Sequence, residues 1–247
     1  MSEWQRLDKY LASVSDFSRK EIKKLIKLGE VVVNDAIACD PALKVSQDCD
    51  VTLCGEETRQ SGFRYYKLFK PEGVVSAAKD SQRPTVLDLL MLDNSAKLHI
   101  AGRLDIDTTG LILITDDGQW THSVISPNRG CNKVYQVTTT YPITEETIKR
   151  LTKGVLLPGE KKRCGPAQLT LIDENSCQLI ISEGKYHQIK RMFAMFDNPV
   201  TSLHREQIGA IKLDEDMAVG DFKALTQQEI NSVAASATNH QPVTRLE

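Results

Sequence analysis

The chain has 247 residues, of which 40% are hydrophobic and 26% charged, enough apolar material for a core and too much for wholesale disorder. A net charge of -2 and a pI near 6.2 mean that any affinity for a polyanion must come from local patches. No apolar run approaches the roughly 20 residues of a membrane span, and Met1 to Lys9 is too polar for a secretory signal.

The six cysteines (Cys39, Cys49, Cys54, Cys131, Cys164 and Cys177) include no C-x-x-C pair. That argues against a zinc ribbon or a disulfide scaffold and fits a reducing cytoplasm. In chain order, Leu7, Tyr10, Leu11 and Val14 recur at helical spacing, with Asp8 and Lys9 on the other side. Asp16 and Ser18 offer caps for a second helix, Arg19 to Leu28, with Glu21 at capping-box distance from Ser18 and Gly29 as its stop. Val31–Val33 reads as a strand, Asn34-Asp35 as a turn and Val51–Leu53 as another strand. Gly55 to Gly62 is polar and unpatterned, which suggests a linker. The expected division is therefore residues 1–56 as one small domain, 57–62 as linker, 63–234 as a second domain and 235–247 as a disordered tail.

From Phe63 strands alternate with short helices. Strands are expected at Tyr65–Phe69, Leu111–Thr115 and Val134–Thr140, with a hairpin pair at Leu169–Ile172 and Gln178–Ile181. Lys70-Pro71-Glu72-Gly73 reads as a turn, and Asp116-Asp117-Gly118 follows the strand Leu111–Thr115. Helices are expected at Thr144–Lys153, at Tyr186–Phe196 with an apolar face of Ile189, Met192, Phe193 and Phe196, and at Thr226–Ala234 with Thr226 as cap. The pattern implies an α+β fold: a small α-α-β domain, then a mainly antiparallel mixed sheet flanked by helices.

Three places can carry chemistry. Lys20, Lys23, Lys24 and Lys27, with Arg19, form a cationic face on the second helix, opposite Ile22, Leu25 and Ile26, which suits a phosphate backbone. Taken alone, such a face is more often simply solvated. Between a short apolar run and a strand lies Gly102-Arg103-Leu104-Asp105-Ile106-Asp107-Thr108-Thr109-Gly110, the densest polar stretch in its region. An Asp in a turn usually caps backbone N–H groups, but an Arg beside two acids favours an anionic substrate. Asp105 to Thr109 also spells D-x-D-x-T, the nucleophile motif of haloacid-dehalogenase-like phosphatases, which would bring magnesium. That motif should follow an apolar parallel strand, whereas here the strand follows the motif. Further on, Lys190 and Arg191 lie early in a helix, where cations want an anionic partner.

These stretches together resemble bacterial rRNA pseudouridine synthases. Gly102 to Leu111 looks like the family's catalytic motif, Gly184 to Met192 like its C-terminal motif, and Lys70 to Ser76 like its first motif. Arg6 to Leu11, Ser18-Arg19 and Gly29 to Asn34 resemble the RNA-binding module named after a small-subunit ribosomal protein. The match spans nearly the whole chain in order, and Thr108-Thr109 with Tyr186-His187-Gln188 most resembles the small-subunit (16S) branch. A large-subunit target is the alternative, with a phosphatase or a non-catalytic RNA-binding protein more remote. Asp35 stands where the module often has Gly, and Phe69 where the first motif has Asn.

The resemblance implies that Asp105 is the essential acid, Tyr135 the active-site aromatic, Lys190 the basic residue paired with the acid, and Arg103 the side chain that fills the stack of the flipped-out uridine. It implies no metal, no cofactor, no membrane, a small-subunit rRNA or assembling particle as partner, a cytoplasmic setting and a monomer. The reaction exchanges the C1′–N1 bond of a uridine for C1′–C5, with Asp105 either attacking C1′ or removing the C2′ proton.

Overall fold

A computed structural model describes residues 4–15, 17–46, 49–58, 62–92, 97–126 and 131–236, which fall into two units, Met1–Gly62 and Phe63–Glu247. In the first unit a short ribbon, β1 (Gln5–Arg6) and β4 (Lys44–Val45), and a sheet in the order β3 (Ala36–Ile37), β2 (Val31–Val33), β5 (Val51–Leu53), β6 (Glu56–Glu57) accompany two helices, α1 (Leu7–Val14) and α2 (Arg19–Leu28). The start of α2 is fixed by the expected capping box, in which the Ser18 hydroxyl accepts from the Glu21 amide and the Glu21 carboxylate accepts from the Ser18 amide at 2.8 Å. Its end is Gly29 at φ 80°, a left-handed turn that costs glycine little. Ile22 and Ile26 then face Leu7, Leu11 and Val31 in a closed core. Asn34 and Asp35 both take positive φ, so Asp35 makes the tight hairpin turn that glycine would otherwise supply.

Two expectations for this unit change. Asp8 is not on the solvent side: it is 0% exposed. The polar stretch after Cys54 is not all linker either. Glu56 and Glu57 pair with Leu53 and Thr52, and the Thr58 carbonyl accepts from the Tyr10 hydroxyl at 2.7 Å. Asp16, residues 59–61 and the tail from 237 onward lie outside the described residues.

Among the described residues, the second unit is built on nine strands. Seven form a continuous path: β11 (Gln168–Leu171), β12 (Ser176–Ile181), β10 (Lys133–Thr139), β13 (Val200–Ile208), β9 (Thr109–Thr115), β7 (Tyr65–Lys70) and β15 (Phe222–Ala224). To these β8 (His99–Ala101) adds on β9 and β14 (Ile211–Lys212) on β13. The strands pair antiparallel except β13 with β9, which run parallel. The run Leu111-Ile112-Leu113-Ile114 is buried on both faces, as continuous apolar strands are. Ile112 and Ile114 join a core with Leu151 of α4 (Glu145–Thr152) and with Ile189, Met192 and Phe193 of α5 (Gln188–Ala194). Leu111 and Leu113 join another with Trp120 and Val124 of α3 (Gly118–Ile125) and Val233 of α6 (Gln227–Ser236). The mixed, mainly antiparallel sheet flanked by helices is the expected architecture.

The differences are local. Asp116-Asp117-Gly118 is a helix start, because the Asp117 carboxylate accepts from the amides of Gln119 and Trp120 and caps α3. The helix expected from Tyr186 begins at Gln188, because His187 takes a left-handed φ of 45°. The nine-residue β13 carries His204, Arg205, Glu206 and Gln207 in mid-strand, which hides its apolar alternation. Gly110 is required where β9 meets β13: at φ 110°, a Cβ there would lie 2.2 Å from the Arg205 carbonyl oxygen.

Candidate active site

The loop between β8 and β9 carries Asp105, and three inward supports hold it. Lys70, at the end of β7 and 0% exposed, donates from Nζ to the carbonyls of Thr108 at 2.8 Å, Ile106 at 3.2 Å and Pro71 at 2.9 Å. Ser76 brackets Leu104, its Oγ donating to the carbonyl at 2.7 Å and accepting from the amide at 3.0 Å. The Gly73 amide donates to the Ile106 carbonyl at 2.9 Å. The stretch Lys70 to Ser76 is therefore a cradle for the acidic loop. Burial pushes the Lys70 ammonium down to about 8, against the pull of Asp107 and Asp105.

Arg205 supports the other side. It is 2% exposed, and it donates from Nε to the Leu111 carbonyl at 2.8 Å and from Nη2 to the Gly102 carbonyl at 2.9 Å. Its Nη1 lies 3.4 Å from the Tyr135 hydroxyl, and Tyr135 and Arg205 are register partners across β10 and β13. The phenol hydroxyl thus has the guanidinium as its hydrogen-bond partner.

Asp105, Tyr135, Lys190 and Arg103 all line one cavity of about 740 Å³, together with Thr108, Lys133, Tyr186, His187 and Arg205. Lys190 divides itself between two acids. Its Nζ hydrogen-bonds Asp107 and lies 3.5 Å from Asp105. That hydrogen bond holds the Asp107 carboxyl below the usual range. His187 Nε2 is 3.4 Å from Asp105, and its ring stacks on Tyr186 at 3.8 Å and 18°. Tyr186 is 76% exposed, so this pair offers an open aromatic face at the cavity. Arg103 is exposed at the same cavity. Arg191, the second early cation of α5, bonds Glu160 and the carbonyls of Tyr186 and Pro158, so it fastens the segments around the cavity.

The D-x-D-x-T stretch enters β9 from a loop that follows β8, which runs antiparallel to β9. A phosphatase of that type needs the motif at the end of a parallel strand, and β8 is antiparallel. Phe69, in place of the expected Asn, packs edge-on against His204 with centroids 5.4 Å apart. His204 Nδ1 is 2.8 Å from the Thr109 hydroxyl.

In the first unit Arg19, Lys20, Lys23, Lys24 and Lys27 are all exposed. Two of them lean inward: Arg19 Nη2 is 2.9 Å and Lys23 Nζ 3.8 Å from the Asp8 carboxylate, which also takes Arg6 at 3.1 Å. Hydrogen bonds from Arg6 and then Arg19 hold the Asp8 carboxyl down at about 2 despite its burial.

Sequence reasoning passed over Lys70, Ser76, Lys133 and Arg205. Lys70 and Ser76 are legible only as the ends of the stretch that resembles the family's first motif. Nothing local marks a strand Lys or Arg as inward-facing.

Comparison with known proteins follows this division. A family model described as RNA pseudouridylate synthase matches residues 64–195, more than half of the chain, and an S4 domain model matches residues 5–51. The ribosomal small subunit pseudouridine synthase A of Vibrio vulnificus (strain CMCP6) is 48% identical over 230 residues, 92% of this chain and 99% of that protein. The protein of the same name from Escherichia coli (strain K12) is 46% identical over 229 residues, again 92% and 99%. A solved structure, described as the crystal structure of pseudouridylate synthase, superposes with a TM-score of 0.68 at 40% identity, covering 93% of this chain and 99% of that one.

Proposed function

The chain belongs to the RNA pseudouridylate synthase family, with an S4 domain ahead of the synthase domain, and from that premise we propose that it isomerises a uridine of small-subunit (16S) rRNA with Asp105 as the essential carboxylate. The observation that supports this most is the setting of Asp105: a half-buried acid on a loop held by Lys70, Ser76 and Arg205, facing a cavity it shares with Tyr135, His187 and Lys190. The small-subunit target rests on the names of the relatives at 46–48% identity.

The reaction breaks the C1′–N1 bond, turns the uracil, joins C1′ to C5 and releases the C5 proton. Nothing is oxidised or reduced. Asp105 acts at the sugar, on C1′ or on the C2′ proton. A primary isotope effect on C2′ deuteration marks the second route and its absence the first. Lys190 places positive charge beside both Asp105 and Asp107, and its hydrogen bond favours the ionised form of Asp107. The target base must leave its stack at a cost of a few kcal/mol. The Tyr135 ring and the exposed Tyr186–His187 face can stack on bases, worth about 1–3 kcal/mol each, and Arg103 can fill the gap left behind.

The test follows tritium released from C5 of uridine-labelled rRNA. Asp105→Asn keeps the size of the side chain but cannot serve as nucleophile or base. Release falls by at least about 10²-fold while RNA binding persists. Release within tenfold of the parent removes Asp105 from the mechanism.

A further inference from the structure

Among the described residues, two buried side-chain polar atoms have no hydrogen-bond partner, the Thr108 hydroxyl and the Lys133 ammonium. Both residues line the cavity that holds Asp105. Buried polar groups are almost always paired, because leaving one unpaired costs about 1–3 kcal/mol. Two orphans at one cavity therefore indicate partners that arrive from outside the protein.

Lys133 is the more demanding of the two. It is 5% exposed and stands two residues before Tyr135 on β10, so both side chains leave the same face of the strand. The groups that act on it electrostatically are the buried Cys131 thiol and the Arg205 cation, and no carboxylate is among them. Arg205 in turn bonds only neutral groups: the carbonyls of Leu111, Gly102 and Arg103 and the Tyr135 hydroxyl. The acids of the cavity are engaged elsewhere. Asp105 and Asp107 face Lys190, and Glu183 takes the Gln188 amide group and the Gly165 amide. One wall of the cavity thus holds two buried cations with no counter-ion, an arrangement that is costly until an anion joins it.

We propose that Lys133, backed by Arg205, receives a backbone phosphate of the RNA next to the extruded uridine. A uracil carbonyl would fill the hydrogen bond but would leave both charges uncompensated, whereas each nucleotide brings one phosphate. Lysine suits this task, since its flexible stem can carry a point charge to an oxygen as the chain enters. The contact would fix the ribose of the target relative to Asp105, and so it deepens the reading above and rests on it.

The experiment uses the full-length protein and a short rRNA fragment containing the target, with a neutral methylphosphonate placed at each phosphate around it in turn. Wild-type tritium release on the unmodified fragment establishes the activity itself; without it, the functional reading fails rather than this inference. One methylphosphonate position is expected to weaken wild-type binding roughly tenfold and to cost Lys133→Met nothing further. Lys133→Met lowers the slope of log affinity against log salt by about 0.7, and Lys133→Arg restores part of it. Lys133→Gln, which keeps a donor without the charge, should behave like Lys133→Met and guards against a packing defect in the latter. If folded Lys133→Met or Lys133→Gln shows the wild-type methylphosphonate profile at every position and an unchanged salt slope, the phosphate assignment is overturned. A loss that instead follows 4-thiouridine substitution at the target overturns it in favour of a base contact.

Discussion

The two units display charge in opposite ways. In the first, a fully buried carboxylate, Asp8, gathers exposed cations, Arg6, Arg19 and Lys23. In the second, two buried cations, Lys70 and Arg205, hold a loop that presents Asp105 and Asp107 to a cavity. The partners differ as well. Asp8 is matched by full opposite charges, and its ionised form is favoured so strongly that its pKa drops to about 2. Lys70 is met by carbonyl dipoles, which do not offset the loss of water, and its pKa drops to about 8. A buried charge organises a surface of opposite sign in both places, but Asp8 is held in its charged state across the working pH range while Lys70 is not.

The largest break in this comparison comes at Lys70. Lys70→Met keeps the stem and removes the donor shared by Ile106, Thr108 and Pro71, so the Asp105 loop loses its inner anchor. A displacement of about 1 Å at a reacting group costs on the order of 10²-fold in rate, and turnover should fall by that amount with little change in RNA affinity. A wild-type-like kcat in a folded variant would show that Ser76 and Arg205 suffice. The same residue gives a pH signature. Its folded pKa, about 8, lies below the unfolded value near 10.4, so between these pH values the unfolded chain binds more protons and Lys70 adds stability as pH rises. The cation under the loop is lost over the same window. Activity is therefore expected to decline above pH 8 without a matching fall in melting temperature, and parallel declines would refute the assignment.

A smaller effect sharpens the other side. Removing residues 1–62 takes away the cationic face and leaves Asp105, Tyr135 and Lys190 in place. Each phosphate contact contributes roughly 0.7–0.9 to the slope of log affinity against log salt. If only Lys20, Lys24 and Lys27 meet phosphates, the slope becomes shallower by about two units. A change of about four requires Arg19 and Lys23 to leave Asp8 for the RNA. No change would return the face to a merely solvated role.

What the sequence disclosed follows from where charge is placed. The repeats of Leu7, Tyr10, Leu11 and of Ile22, Ile26, and the caps at Ser18, Thr144 and Thr226, are local signals, and the helices they announce are present. Asp105, Tyr135 and Lys190 were singled out because their motifs resemble a family's, and they line one cavity. Asp8 reads as solvent-facing because a charged residue in a periodic pattern marks the wet face unless a partner distant in sequence reverses it, Lys70 reads as part of a turn, and Lys133 and Arg205 fall outside the elements the pattern announces. Arg19 reaches Asp8 from the next helix, and Arg205 reaches Gly102 across 103 positions.

The smallest expected effect tests whether Asp8 is as firmly charged as its partners imply. Its folded pKa of about 2 lies below the unfolded value near 3.9. The stabilisation is therefore fully present above the unfolded value and is lost as pH falls from about 4 toward 2, where the carboxyl takes up its proton and releases Arg6, Arg19 and Lys23. Asp8→Asn cannot titrate, so its urea midpoint should start lower at pH 7 and stay nearly flat over that window, apart from changes shared with the wild type. The midpoint is best followed by NMR amide signals from Ile22 and Ile26, which lie in the first unit's core and report that unit alone. A wild-type midpoint as flat as that of Asp8→Asn from pH 4 to 2 would show that the three cations do not hold the buried acid in its charged form, and the contrast with Lys70 would vanish.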